Sequence, residues 1–244
     1  FFFNDTATTE IYLFPYTTLS DLLLRQGQPA LAAEYLAAQA TEPGASLDTD
    51  LLYARALNAG GRIDAAADHL RPRLGESSAS RLRWLQLGFE ISDSDPAAAG
   101  RWIDDLVPYV DRSKFEEIET LARMQGRLFR LTGDTGRLEA AAELLDGLPA
   151  TGASGSRNET RGMIAELQGQ TEMARRQYEA ALAADPGRLT SANNLANLLV
   201  TTGGDLERAL ALATAATASN VSAEFLDTLA AVQAAPRPAA SASI

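Results

Sequence analysis

The chain has 244 residues, of which 46% are hydrophobic, with no cysteine, one histidine and a formal charge of −11. Without cysteine there is neither a disulfide nor a thiolate metal site, and His69 alone leaves no room for a histidine zinc set or for Ser-His or Cys-His hydrolytic machinery. The acidic balance argues against a nucleic-acid partner, whose phosphates need clustered cations.

The first stretch in chain order, "NDTATTEIYLFPYTTLSDL" from Asn4 to Leu22, is rich in Thr and aromatics and contains no Lys or Arg. It lacks the basic start and unbroken apolar run of a secretory signal. It is also too often interrupted by polar residues to span a membrane, which takes about 20 apolar residues. No turn pair separates two alternating runs, so a hairpin does not fit either. Back-translated, Asn4–Tyr12 reads AAT GAT ACG GCG ACC ACC GAG ATC TAC, which resembles a widely used sequencing-adaptor oligonucleotide. The same oligonucleotide continues, with skipped bases, through Leu13–Leu19 and into Ser20, Asp21 and Leu22. Residues 1–22 are therefore expected to be a translated adaptor outside the fold, with the natural N-terminus missing and the chain a fragment. Setting them aside removes Asp5, Glu10 and Asp21 and no base, which moves the charge from −11 to −8. What remains is Ala- and Leu-rich, a composition that favours helices.

From residue 23 onward the dominant feature is a repeat. The breaks "RQGQP" (Gly27), "NAGGR" (Gly61), "ISDSDP" (near Asp95), "LTGDTG" (Gly133), "LQGQT" (Gly169) and "TTGGD" (Gly203) punctuate the helical segments. Gly27 to Gly61 and Gly169 to Gly203 are both 34 residues, as is Leu195-Ala196 to Leu229-Ala230. The second helices carry small and apolar residues in register: Ala32 and Leu36, Ala66 and Leu70, Ala140, Ala141 and Leu144, Ala209 and Ala216. In the most divergent copy, Gly88, Ala99 and Trp102 take the small, small and aromatic positions. The clearest copy predicts a helix near 156–168, a reversal at Gly169, and a helix over about 171–184. Ala174, Tyr178, Ala181 and Leu182 would share one face of that second helix, and Pro186 would end it.

Gly162, Ala174, Tyr178, Ala181 and Pro186, in that order and on that period, resemble the tetratricopeptide repeat family. Asn158 and Ala165 depart from the family's first-helix aromatic positions. The resemblance implies an all-α fold, a right-handed superhelical solenoid of about six helix-turn-helix repeats over residues 23–234. A Pro/Ala/Ser tail, 235–244, would follow as disordered linker or truncation scar. The last first helix, "AEFLDTLAAVQA", would lack a partner and expose Phe225, Leu229 and Val232.

No motif for catalysis emerges; "SGS" and "TGDTG" read as turns, His69 as a packed imidazole, and no cofactor is expected. In the family, partner peptides lie in the groove lined by first helices. Its register would place Arg55 and Asn58, then Arg123, Arg127 and Arg130, then Glu159 and Glu166, then Asn193 and Asn197 along that groove. The arginine row suggests an anionic partner, a carboxylate-rich peptide or an acidic polysaccharide. Asn193 and Asn197, one turn apart, suit the backbone of an extended peptide. Asn194 stands where chaperone-binding members carry a clamp Asn, but Glu159 and Glu224 replace the flanking cations that clamp needs. The expected function is a non-catalytic protein-interaction scaffold. The couplet "NNLANLL…GGDLERALALA…LDTLAAV" looks like bacterial members tied to exopolysaccharide assembly and the cell envelope. A docking or regulatory arm of a larger enzyme and a cytoplasmic peptide-sensing regulator are the alternatives. The compartment, cytoplasmic or periplasmic, stays open, and no membrane span is expected in this fragment.

Overall fold

The computed structural model describes residues 19–148 and 155–236. Most of the expected leader and most of the expected tail lie outside the described residues. Among the described residues the elements are all helical, with no strand. After α1 (residues 19–25) come α2 (Pro29–Ala40), α3 (Leu47–Ala59), α4 (Ile63–Leu70), α5 (Ser78–Ser94), α6 (Pro96–Leu106) and α7 (Phe115–Thr132). They continue as α8 (Thr135–Asp146), α9 (Gly155–Leu167), α10 (Thr171–Ala184), α11 (Leu189–Thr201), α12 (Leu206–Ser219) and α13 (Ala223–Ala234). Consecutive helices form helix–turn–helix units, and α13 opens one more. The chain divides into two compact units between Met124 and Gln125, inside α7. The expected boundary at residue 22 falls within α1 rather than between elements.

Five of the turns within repeats share one glycine conformation. Gly27, Gly61, Gly133, Gly169 and Gly203 all take φ between 68° and 75°, a left-handed conformation that costs other residues a Cβ clash. At Gly169 the glycine N–H donates to Glu166 O at 2.9 Å and the next N–H, of Gln170, donates to Ala165 O at 2.8 Å. That pair of bonds satisfies carbonyls the helix end would otherwise orphan, and it reverses the chain in two residues. The turn at Asp95 uses other chemistry: its carboxylate accepts from the Ala98 N–H at 2.8 Å, and Pro96 starts α6.

In the first unit, α5 and α6 pack through the chain's two tryptophans. Trp84 and Trp102 stack with ring centroids 4.0 Å apart, and each indole N–H donates to the other residue's carbonyl, at 2.7 and 2.8 Å. Gly88 makes room for them, since a Cβ there would lie 3.2 Å from Trp102 Cδ1. One repeat is tied to the next by ion pairs: Arg55 to Glu90, Arg71 to Asp105, and the buried pair Arg81–Glu117, whose guanidinium donates to both carboxylate oxygens at 2.7 and 2.9 Å. His69 is packed as expected. Its Nε2 lies 2.8 Å from Asp50 Oδ1, Tyr53 meets its ring edge-on, and Arg73 pairs with the same carboxylate.

The second unit turns on Gly162. A Cβ there would sit 2.6 Å from Tyr178 Cε1, so α9 and α10 meet at backbone distance with the tyrosine ring laid over the glycine. Ala174, Tyr178 and Ala181 are fully buried along α10, while Leu182 is half-buried. Two expectations shift by a residue or a face. In α8 the buried residues are Leu138, Ala141 and Leu145, and Leu144 is only half-buried. In α13, Phe225 and Val232 are buried and Leu229 packs against the core, because that face lies on α11 and α12. The large apolar residues left exposed are Leu226 on α13 and Val221 just before it.

Gly162→Ala would gain about 1 kcal/mol of helix propensity but force an overpacked contact costing typically about 1–3 kcal/mol. The expected result is a lower urea midpoint by circular dichroism; an unchanged or higher midpoint would mean the ring gives way freely. Burial acts to raise the Glu117 pKa, but hydrogen bonds from Arg81, Ser78 and the Asp111 N–H, together with the Arg81 charge, hold it below the ordinary carboxylate value. A depressed folded-state pKa contributes stability that is complete above the unfolded value of about 4.3 and is lost as pH falls through the folded one. Glu117→Ala is therefore expected to cost about 3–5 kcal/mol at neutral pH, the typical cost of breaking a buried pair, and to flatten the stability profile below about pH 4, measured by urea unfolding across pH.

Candidate functional site: a polar groove between first helices

Within the second unit, the inner faces of α7, α9, α11 and α13 enclose a pocket of about 840 Å³. The helical period dictates its lining. Thr190, Asn193, Asn194 and Asn197 recur along one stripe of α11, and Glu224, Asp227, Thr228 and Ala231 along one stripe of α13. Met163, Glu166 and Leu167 come from α9, Arg130 from the end of α7, and Tyr178 rises from α10 to form the floor.

The floor is a hydrogen-bonded relay. Tyr178 Oη donates to Glu166 Oε2 at 2.7 Å, and Asn194 Nδ2 reaches the same phenol oxygen at 3.4 Å. Burial, followed by the neighbouring Glu166 charge, pushes the Tyr178 pKa well above the ordinary phenol range, so it stays a donor at any physiological pH. Asn193 is 2% exposed, and its Oδ1 is buried without a hydrogen-bond partner. A buried acceptor left unpaired is costly in the free protein, and a donor arriving from outside would remove that cost. The rim is charged. Glu224 and Asp227 are exposed on α13, and Arg130 is exposed on α7.

Of the residues expected at the groove, Arg130, Asn193 and Asn197 line this pocket together. Arg123 and Arg127 are half-buried further along α7 and are not part of its lining; Arg123 Nη2 lies 3.2 Å from Thr120 Oγ1. Arg55 belongs to the first unit and is held by both oxygens of Glu90, its Nε donating at 3.1 and 3.2 Å. Glu159 is also spoken for: it accepts from Arg188 Nε and Nη2, each at 3.2 Å, and from Ser191 Oγ at 2.7 Å. Asp227 and Thr228 were not expected at the site. They lie three and four residues after Glu224, so the spacing that groups the α11 asparagines would have found them.

Among the described residues, no group of three or more His, Cys, Asp or Glu side chains is placed to hold a metal ion, and no helix is long and apolar enough to cross a membrane. A family model for the tetratricopeptide repeat-like domain matches residues 34–201. No curated protein matches the chain. Among solved structures it is similar to the assembly chaperone of RpL4 (Acl4, residues 1–338), at 15% identity and a TM-score of 0.56 over 89% of this chain and 94% of that one. It is also similar to a chain of the APC/C hetero-tetramer Cut9–Hcn1, at 13% identity and a TM-score of 0.50 over 89% of this chain and 42% of that one. At such identities the likeness extends to the fold alone.

Asn193→Ala removes an acceptor that has no partner to lose, so its expected cost in stability is below about 1 kcal/mol. Thermal unfolding followed by circular dichroism measures it; a large drop would mean the side chain is already satisfied in the free protein.

Proposed function

The chain belongs to the tetratricopeptide repeat-like family, and on that premise we propose that it is a non-catalytic interaction scaffold, holding an extended segment of a partner protein in the groove of α7, α9, α11 and α13. The observation that carries this reading is the asparagine stripe of α11. Asn193, Asn194 and Asn197 bring three carboxamides to one pocket, and each carboxamide both donates and accepts. An extended backbone, with an N–H and a C=O at each residue, is the complementary ligand. One similar structure is an assembly chaperone of RpL4 and another is a chain of the hetero-tetramer Cut9–Hcn1, which agrees with a scaffold role. A bacterial cell-envelope setting is part of the proposal and rests on the "NNLANLL…GGDLERALALA" couplet. The docking arm of a larger enzyme is the second reading. It uses the same groove, and full-length reading frames would separate the two.

Unstructured peptides selected from a display library on the full chain are expected to bind in this groove. Replacing both Asn194 and Asn197 by Ala removes two or more hydrogen bonds and is expected to weaken the selected peptides by about tenfold or more in fluorescence anisotropy. Glu207→Ala, at an exposed position on α12 outside the pocket, is the control and should change nothing. Ligands that ignore the asparagines would put recognition elsewhere on the molecule.

A further inference from the structure

Building on that groove reading, we propose that the captured segment is basic: a Lys or Arg side chain enters the pocket between α11 and α13, its N–H donors satisfying Asn193 and its charge facing Glu224 and Asp227.

Two independent observations converge on this. The first is the orphaned Oδ1 of Asn193, which lines the pocket at 2% exposure and can be satisfied only by a donor. A carboxylate side chain entering there carries no donor and would leave it unpaired, whereas ammonium and guanidinium groups are donors only. The second is the charge of the lining, three carboxylates (Glu166, Glu224 and Asp227) against one guanidinium, that of Arg130. Glu166 already accepts from Tyr178, but Glu224 and Asp227 are exposed, with no ion pair among the described residues.

The pocket thus favours the opposite sign from the one that the row of Arg123, Arg127 and Arg130 suggests when considered alone. Of those three only Arg130 reaches it, from the end of α7. The groove is therefore polarised, with its cation on α7 and the two carboxylates that have no ion pair among the described residues, Glu224 and Asp227, on α13. A guest would be oriented with its basic residue toward α13. Because Glu224 and Asp227 are solvated, their share acts through steering and is screened by salt, while the buried asparagine supplies geometry that salt does not screen.

The test uses the full chain and fluorescein-labelled peptides that share one short Gly/Ser/Ala frame and differ only in carrying paired Lys, Gln or Glu. The Lys peptide is expected to bind about tenfold tighter than the Gln peptide, and the Glu peptide most weakly. Glu224→Gln with Asp227→Asn should erase the Lys preference and flatten its salt dependence. Asn193→Ala should weaken the Lys peptide about tenfold at low and high salt alike. If Asn193→Ala does not fold, judged by circular dichroism, the Glu224 and Asp227 pair carries the test alone. Equal or tighter binding of the Gln or Glu peptide, still sensitive to Asn194 and Asn197, would overturn the basic guest and leave the groove standing. Failure of all three peptides to bind, or binding indifferent to every pocket substitution, would remove the groove reading as well.

Discussion

The second unit depends on one close approach: the ring of Tyr178 lies against the bare Cα of Gly162, so α9 and α10 pack at a distance that any side chain on the glycine would prevent. The consequence is more than a tight hairpin. A ring held that deep carries its hydroxyl through to the other side of the layer, where it donates to Glu166 and receives Asn194. The residue that closes the hairpin is therefore also the residue that sets the polar floor of the groove. Gly88 against Trp102 repeats the arrangement in the first unit, with the indole N–H satisfied by a neighbouring carbonyl instead.

Charges divide into those that build the array and those left over for a guest. Arg71 meets Asp105 one period later, and Arg81 meets Glu117 slightly further on. Glu159 in turn is held by Arg188 and Ser191 of the next repeat. Such pairs hold neighbouring hairpins in register, and when buried they are far less tolerant of losing one partner than exposed pairs are. What they consume is not available for recognition. The carboxylates of α13 lack such partners among the described residues, and this places them among the groups free to meet a ligand.

The fold was largely legible in the sequence because its determinants are local and periodic. A left-handed glycine at five of the six turns, small residues where helices cross and a 34-residue spacing can all be read without knowing any distant contact. The turn at Asp95 was marked only by the run "ISDSDP", and its capping carboxylate is seen in the structure. The site was legible only in part. Asn193, Asn197 and Arg130, expected from the family register, line one pocket together. Arg55 and Glu159 occupy first-helix positions too, but a partner about one repeat away in sequence neutralises each, and single-helix periodicity does not reveal such pairing. A search for opposite charges one repeat apart would have done so. The burial of Phe225 and Val232 was missed for a related reason: α13 was read as a helix without a second helix, although the preceding hairpin already covers its apolar face.

The mutual clasp of Trp84 and Trp102 gives the molecule an uneven optical signature. Both indoles of the chain reside in a single hairpin, stacked and shielded from water. Intrinsic tryptophan emission is thus a spectator confined to α5 and α6, reporting the melting of that hairpin. Events around the asparagine stripe have Tyr178 as their nearest native chromophore, or else need an added dye.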